Sequence, residues 1–546
     1  MHNYLLRAAM AGVAFALCGT GMASAETSAT RATVAQASPA PAATTTPNPL
    51  TYGGFVRAYY FTRTNASPYG LPQTTNVLNQ ASFNAAVSLH AAYSFANNWS
   101  AGGTYFYANP LNNCTTAADQ LQVGGPCSGK TATFKSGGSS FLYPNVPTNP
   151  DNTLPGFEMS TLYEAYLQYK DANLFAKAGN MVFNSPWANP SDSRLKPVAF
   201  QGGDLSYKFN TNWTAEAAFM DRFEDRVDSA FVNSTLLTAT NIADAPGAGS
   251  NLLLPKYSAV TTSGFGYGRL GYTANALTAN LHFYDFVDIA TAEWLDAKYT
   301  LTGQLKPYLA LQAGNESNTG KGVIGKINSQ VVGLQAGVTP VKNLDVTLGF
   351  DYMPIKSDTF SAGLPTGVTC NAVPAQPPAK TPAGNEIAVA AGSAPFMYFL
   401  PSGGTANCVV GPSGAATVYY GGWASPYTDS YATDPLFTTS ISQGMADRRS
   451  PGTSGKVQAT WYGDNKQIRF IASYALYAYG NSTTGVSPTQ EDDLDATYFF
   501  SKVPKSGPYH GLSFRERYAD RTQNFTQFYG GLPVFKYNRT QLEFDF

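Results

Sequence analysis

Polar and apolar residues alternate along most of the chain after residue 50, which is the pattern of strands with one wet and one apolar face. In the segment 343–352 every second residue is apolar: Leu344, Val346, Leu348, Phe350 and Tyr352. The residues between them are polar or small. The same period recurs in 454–463, in 466–477 and in the last eight residues. The pattern therefore predicts a protein built from β-strands.

The alternating segments predict eighteen strands separated by connections of very unequal length. The predicted strands are 52–61, 82–95, 98–107, 157–170, 173–182, 198–210, 212–222, 263–274, 276–289, 292–303, 306–315, 327–338, 343–352, 454–463, 466–477, 490–500, 510–521 and 535–546. Compact Asn/Asp turns alternate with long connections at 108–156, 223–262 and 353–453. This asymmetry is typical of a transmembrane antiparallel β-barrel with short periplasmic turns and long extracellular loops. A count of sixteen strands is the alternative.

Both ends of the chain are informative about location. Arg7 precedes an apolar stretch, and Ala23-Ser24-Ala25 follows it, which predicts a secretory signal peptide over 1–25. Residues 26–50 are rich in Ala, Thr and Pro and predict a flexible periplasmic leader, so the barrel spans 51–546. The chain ends on Phe546, which resembles the terminal strand that the barrel-assembly machinery of bacterial outer membranes recognises. The expected location is therefore the bacterial outer membrane.

Composition excludes several other classes. The chain has 34 basic and 35 acidic residues, so nothing indicates a nucleic-acid partner. Charged and aromatic residues each make up 13% of the chain, which suits a barrel wall that contacts lipid. Outside the signal no apolar run is long enough for a membrane helix. No Gly-x-Ser-x-Gly elbow and no cluster of the four His residues is present, so we expect no enzyme, cofactor or metal.

The cysteines outside the signal fall into two local pairs. Cys114 and Cys127 lie in one Gly/Asn/Thr-rich stretch, and Cys370 and Cys408 lie in another. In an oxidising compartment, each pair predicts a disulfide that fixes a surface loop. Metal binding is the weaker alternative because no His lies near either pair.

Two segments carry a resemblance to a known family. One is "GNMVFNSPWANPSDSRLKPVAFQGGD" at 179–204, and the other is "EDDLDATYFF…GLSFRERYADR" at 491–521. Both resemble the OprD-type family of outer-membrane porins. The resemblance implies an eighteen-stranded channel selective for small solutes, with inward-folded loops at its constriction and a row of arginines on one wall. The insertion 353–453 departs from the expected family pattern.

The resemblance and the alternation together give candidate pore-lining residues. The resemblance implies that the third loop (183–197) holds the constriction with Asp192 and Arg194, and that a late strand supplies Arg515 and Arg517. Alternation independently points five cations inward: Lys177, Lys208, Arg269, Arg469 and Arg539. A cation facing lipid near the bilayer midplane costs about 2–4 kcal/mol, so these residues are expected in the lumen. The alternative is that they only form ion pairs with Glu543, Asp545, Glu164 or Asp495.

The leading hypothesis is a passive, substrate-selective channel for small, carboxylate-bearing solutes. A non-selective porin is a second hypothesis. A third makes the barrel a platform for an adhesin or receptor surface in 353–453, although the same insertion could fold into the pore. The expected partners are outer-membrane lipid and small solutes, and the resemblance implies a monomer or a loose trimer.

Overall fold

The computed structural model describes the greater part of the chain after residue 48. The described residues are 49–65, 80–111, 158–191, 194–226, 228–233, 235, 262–322, 327–360, 368–373, 404–410, 416–428, 433–446, 451–481, 485–501, 511–523 and 535–546. The predicted signal peptide, nearly all of the leader, Asp192, Cys114 and Cys127 lie outside these residues. Within them, no helix is long and apolar enough to cross a membrane.

Eighteen of the twenty-two strands in the described residues form one sheet. These are β1 (Leu50–Asn65), β2 (Gln80–Ala96), β3 (Trp99–Pro110), β4 (Met159–Lys170), β5 (Leu174–Met181), β6 (Ala199–Lys208), β7 (Trp213–Glu224), β8 (Phe265–Ala274), β9 (Leu277–Phe286), β10 (Ala290–Thr300), β11 (Tyr308–Asn318), β12 (Asn328–Val341), β13 (Leu344–Met353), β18 (Gly452–Tyr462), β19 (Ile468–Asn481), β20 (Gly485–Phe499), β21 (Leu512–Gln523) and β22 (Phe535–Asp545). Each overlaps one predicted strand, so the count of eighteen is confirmed and sixteen is wrong.

The sheet closes into a barrel. Every strand pairs antiparallel with the strand that precedes it in the sheet, and β13 pairs directly with β18 across the long insertion. The last strand returns to the first, because β22 pairs with β1 from Phe55↔Asp545 to Asn65↔Phe535. Closure leaves the main sheet without a free edge, which is how a β-structure satisfies its backbone hydrogen bonds.

The two ends of the barrel differ, as the sequence predicts. At the end we call the turn end, β4 and β5 are joined by a tight turn at Asp171, whose carboxylate accepts backbone N–H groups of Asn173 and Leu174 at 2.8 and 2.7 Å. These two hydrogen bonds lower the pKa of Asp171. The opposite end, the loop end, carries the third loop and the insertion. The asymmetry is incomplete, since β9 and β10 are joined at the loop end by only three residues.

The outer face of the barrel is apolar and the inner face is largely polar. On β13, Leu348 and Phe350 point outward and are 64% and 47% exposed. Asp351, the residue after Phe350, points inward and is fully buried. The same alternation places Val457 and Trp461 outside. A soluble barrel would turn its apolar face inward, so this arrangement fits a wall surrounded by lipid.

The insertion 353–453 contains structure that the alternation did not predict. A second sheet of four short strands lies within it: β14 (Lys356–Phe360), β15 (Val368–Val373), β16 (Gly404–Val410) and β17 (Ala416–Tyr420). Strands β15 and β16 pair in parallel, and the other pairs are antiparallel. These strands have only five to seven residues and lie in Gly/Pro-rich sequence, so the run of alternating residues is too short to identify them.

Candidate functional site

The interior of the barrel is the candidate site because two connections from the loop end fold into it. One is the third loop, which joins β5 to β6; the other is the part of the insertion after β17. They meet at a β-bridge between Ala188 and Tyr427. Asn189 strengthens the contact by donating its side-chain N–H to the carbonyl of Thr433 at 2.9 Å. The two connections therefore form one internal structure.

Aromatic side chains fill one half of the interior at the loop end. Trp187 of the third loop lies 4.8 Å from Trp423 of the insertion and 5.1 Å from Trp294 of β10, measured between ring centroids. Tyr427 packs 4.8 Å from Phe265 of β8. All five residues are at least 98% buried. We call this group, with the inward aromatics of β6 to β10, the aromatic half.

The third loop is anchored to the wall by two cations. Arg57 of β1 donates to the carbonyls of Arg194 and Leu195 at 2.7 and 3.2 Å, and it also pairs with Glu543 of β22. Lys196 forms an ion pair with Glu224 of β7 at 2.6 Å, with both side chains fully buried. Breaking a buried pair is costly, so these contacts hold the loop inside the barrel.

Arg515 and Arg517 face the lumen from β21, and both pair with Asp495 of β20. Arg515 donates to the two carboxylate oxygens at 2.9 and 2.5 Å, and Arg517 donates to one of them at 2.8 Å. The ion pairs expected with Asp495 are therefore present. One carboxylate nevertheless serves two guanidinium groups, so it leaves an excess of positive charge.

Three more arginines join these two on the same wall. Arg539 of β22 is opposite Arg517 in register and stacks on Tyr59, 4.8 Å from its ring centre. Arg194 of the third loop lies 5.8 Å from the ring centre of Phe61, the residue opposite Arg539 on β1. We call Arg57, Arg194, Arg515, Arg517 and Arg539 the arginine cluster. Among the described residues it contains five cations against two carboxylates, Asp495 and Glu543.

Burial varies within the arginine cluster. Arg194 and Arg539 are 2% exposed and Arg517 is 5% exposed. The side chains of Arg57 and Arg515 retain 11% and 15% exposure. Two nitrogens of Arg194, Nε and Nη1, have no hydrogen-bond partner among the described residues. A buried guanidinium in that state favours a negatively charged neighbour.

The other predicted cations are not part of this cluster. Lys177 of β5 pairs with Glu164 at 3.3 Å, and Arg269 of β8 pairs with Glu216 at 2.8 Å. Arg469 donates to Thr497 at 3.1 Å, and Thr497 is opposite Arg515 in register, so Arg469 borders the cluster. Lys208 is exposed at the last position of β6, near the turn end.

Glu516, between Arg515 and Arg517, faces outward. No register shift interrupts β21 against β20 or β22, so no bulge turns its side chain inward. Its carboxylate accepts a hydrogen bond from Thr540 at 2.7 Å.

Sequence reasoning missed the polar groups that hold the insertion inside the barrel. Four of them are wall carboxylates that accept backbone N–H groups: Glu316, Asp351, Glu491 and Asp493. The signal was present in "EDDLD", where alternation turns Glu491, Asp493 and Asp495 to one face. Their partners lie in a segment without any period, so no pattern could have joined the two.

The cysteine predictions remain open. Cys370 on β15 is opposite Ala406, and Cys408 on β16 is opposite Ala372, so the two cysteines lie on neighbouring strands, offset by two residues. This offset does not place the two cysteines opposite each other, as a disulfide between neighbouring strands needs, and the pairing stays a prediction. No group of three or more His, Cys, Asp and Glu residues in the described chain could hold a metal ion.

Comparison with known proteins supports the fold. No protein-family model matches the sequence, and no curated protein resembles it in sequence. Solved structures do match. OpdO of Pseudomonas aeruginosa is 14% identical, with a TM-score of 0.55 and coverage of 91% of this chain and 97% of that one. A BenF-like porin of Pseudomonas fluorescens Pf-5 and OccAB3 of Acinetobacter baumannii are each 12% identical, with TM-scores of 0.58.

The two 0.58 matches cover 91% of this chain and 98% and 99% of theirs. Likeness over nearly the whole of both chains shows that this chain has the eighteen-stranded barrel fold of these porins. The resemblance expected from the sequence is therefore confirmed at the level of the fold.

Proposed function

We propose that the protein is a substrate-selective porin of the bacterial outer membrane, through which small, carboxylate-bearing solutes diffuse passively. The observation that carries this proposal is the arginine cluster, in which four wall arginines and Arg194 of the third loop gather around two carboxylates on one side of the lumen. In the outer membrane, the turn end of the barrel would face the periplasm and the loop end would face the outside of the cell.

The inward-folded loops support a narrow passage over a wide one. The third loop and the insertion are packed into the barrel by the aromatic half and by buried ion pairs. A general porin keeps a wide aqueous channel, whereas a lumen this occupied forces a solute to contact the wall. The non-selective hypothesis is correspondingly less favoured.

The arginine cluster supports a preference for anions. A guanidinium group binds a carboxylate through two parallel hydrogen bonds, and several in sequence let a solute move from one to the next. Arg515 and Arg57 keep a water-facing part, and Arg194 keeps two unpaired nitrogens among the described residues. Asp495 and Glu543 moderate the attraction, since a site that binds too tightly does not conduct.

One structural neighbour bears on solute chemistry. OpdK of Pseudomonas aeruginosa, which is 11% identical with a TM-score of 0.55, has been solved with vanillate, an aromatic carboxylate. A solute of that class presents the group that the arginine cluster would bind.

Solute flux into proteoliposomes tests the proposal. Small carboxylates should enter faster than the matching uncharged amides, and the Arg515→Gln and Arg194→Gln variants should lose this preference. Lys208→Gln is the matched control, because it removes an inward cation at the turn end, away from the cluster. Equal rates for carboxylates and amides in the wild-type protein would instead support a general porin. No flux at all would support the adhesin or receptor hypothesis.

A further inference from the structure

Residues 435–442 of the insertion run along the inside of the barrel wall. They contact the wall strands one after another, in the order in which the strands follow each other in the sheet. Pro435 accepts a hydrogen bond from Gln312 of β11. Thr438 donates both its backbone N–H and its hydroxyl to Asp351 of β13, at 2.8 and 2.6 Å. The carbonyl of Thr439 accepts from Lys456 of β18 at 2.6 Å.

The remaining contacts continue in the same order. Ser440 accepts a hydrogen bond from Tyr477 of β19 at 2.9 Å. Ile441 donates its backbone N–H to Asp493 of β20 at 3.2 Å, and Ser442 donates its N–H and its hydroxyl to Glu491 of the same strand, both at 2.6 Å. The carbonyl of Ser442 then accepts from Arg521 of β21 at 3.2 Å.

We call residues 435–442 the inner belt. In the sheet, β13, β18, β19, β20 and β21 are consecutive neighbours. The inner belt therefore crosses five adjacent strands with about one residue per strand. A segment running across strands in this way cannot add to their hydrogen-bond ladder, so side chains of the wall must satisfy its backbone.

The wall groups that do this are charged and buried. Asp351 and Glu491 are fully buried and Asp493 is 7% exposed, and each of the three accepts a backbone N–H of the inner belt. A buried carboxylate is stable only when it is paired or hydrogen-bonded. The carboxylates and the inner belt consequently stabilise one another, and removing either takes hydrogen bonds away from buried groups of the other.

We propose that Asp351, Glu491 and Asp493 are positioning residues for the pore. By fixing the inner belt against β13 to β21, they make it a permanent inner wall whose side chains, and not those of the barrel, border the passage on that side. The width of the channel is then set by these three carboxylates. This inference rests on the proposed channel function, and it assigns the inner part of 353–453 to the pore instead of to a surface.

The test compares two double variants in planar bilayers. Glu491→Gln with Asp493→Asn neutralises two belt anchors, and Asp285→Asn with Glu293→Gln neutralises two exposed carboxylates on the outer face of β9 and β10, which make no described contact with the belt. The anchor variant should show a larger and noisier single-channel conductance, while the control keeps the wild-type value. The single variant Asp493→Glu, which keeps the acceptor charge, should retain the steady conductance of the wild-type protein.

Hydrogen exchange supplies the second readout. In the Glu491→Gln, Asp493→Asn variant, the backbone N–H groups of Ile441 and Ser442 should exchange at least about tenfold faster, because each loses a charge-assisted partner. The N–H of Thr438, whose acceptor Asp351 is unchanged, should be affected less. Unchanged exchange and unchanged conductance in that variant would overturn the inference while leaving the channel intact. Absence of conductance in the wild-type protein would instead remove the proposed function.

Discussion

The two halves of the barrel interior hold their inward-folded chain by different physical means. In the aromatic half, Trp187 and Trp423 are held by apolar contact with β8 to β10, and the indole nitrogens of both find no described partner. In the other half, the inner belt is held almost wholly by hydrogen bonds to charged wall residues. Apolar packing tolerates approximate geometry, whereas buried charges require matched partners, so the second half is the more specific one.

The same difference separates the residues that hold the loops in place from the residues that would contact a solute. The aromatic side chains of the aromatic half carry no charge, and they pack the third loop against the insertion. The other half of the interior contains both the inner belt and the arginine cluster, and both of them contact strands β20 and β21. Asp493 and Asp495 are two residues apart on β20, so one holds the belt and the other holds Arg515 and Arg517.

The largest effect is expected in the aromatic half. Trp423→Ala should lower the free energy of unfolding by about 3–5 kcal/mol, because it opens a cavity between Trp187 and Trp294. Urea titration in lipid vesicles measures this change. Trp461→Ala is the matched control, since Trp461 is 43% exposed on the outer face and its loss creates no internal cavity. Equal losses in both variants would show that the aromatic half does not support the loops.

A smaller loss of stability, with a gain of selectivity, is expected at Asp495. Asp495→Asn removes charge-assisted hydrogen bonds to Arg515 and Arg517 and should cost about 1.5–3 kcal/mol. The same change leaves the arginine cluster more positive, so the preference for anions in zero-current potential measurements should increase. A decrease in the preference for anions would mean that Asp495 holds Arg515 and Arg517 in place for binding. The excess positive charge of the arginine cluster would then not be what selects the solute.

The smallest effect is expected outside both halves. Lys342 and Asp464 form an ion pair at 3.2 Å at the turn end, with side chains 80% and 87% exposed. Lys342→Ala should change the free energy of unfolding by less than about 1 kcal/mol, because exposed pairs are screened by water. Urea titration alongside the Trp423 variant provides the measurement, and a loss as large as that of Trp423→Ala would contradict the proposed division between interior and surface.

The fold was accessible from the sequence because each wall strand has only one apolar face. The period of two located all eighteen wall strands, and it pointed Arg269, Arg469 and Arg539 to the face that carries Glu216 and Thr497. It was less informative for β8 and β9, where inward residues such as Phe265 and Phe286 are also apolar. Loss of alternation near the loop end was in fact the signal that internal loops cover those residues.

The candidate site was only partly accessible, since it depends on contacts between residues far apart in the chain. Arg515 and Arg517 were predicted, but their shared use of Asp495 follows from the register of β20 against β21. Arg57 was not singled out, because its importance comes from the third loop carbonyls that it reaches. The inner belt has no periodicity, and its position is dictated by the wall side chains it meets.

The central claim is that the arginine cluster makes this lumen an anion-selective passage. The most direct test is the zero-current potential of the purified wild-type protein in a planar bilayer that separates two concentrations of potassium chloride. The account predicts a potential of the sign set by chloride, reduced in size by Arg515→Gln and Arg194→Gln. A potential of the sign set by potassium would contradict it.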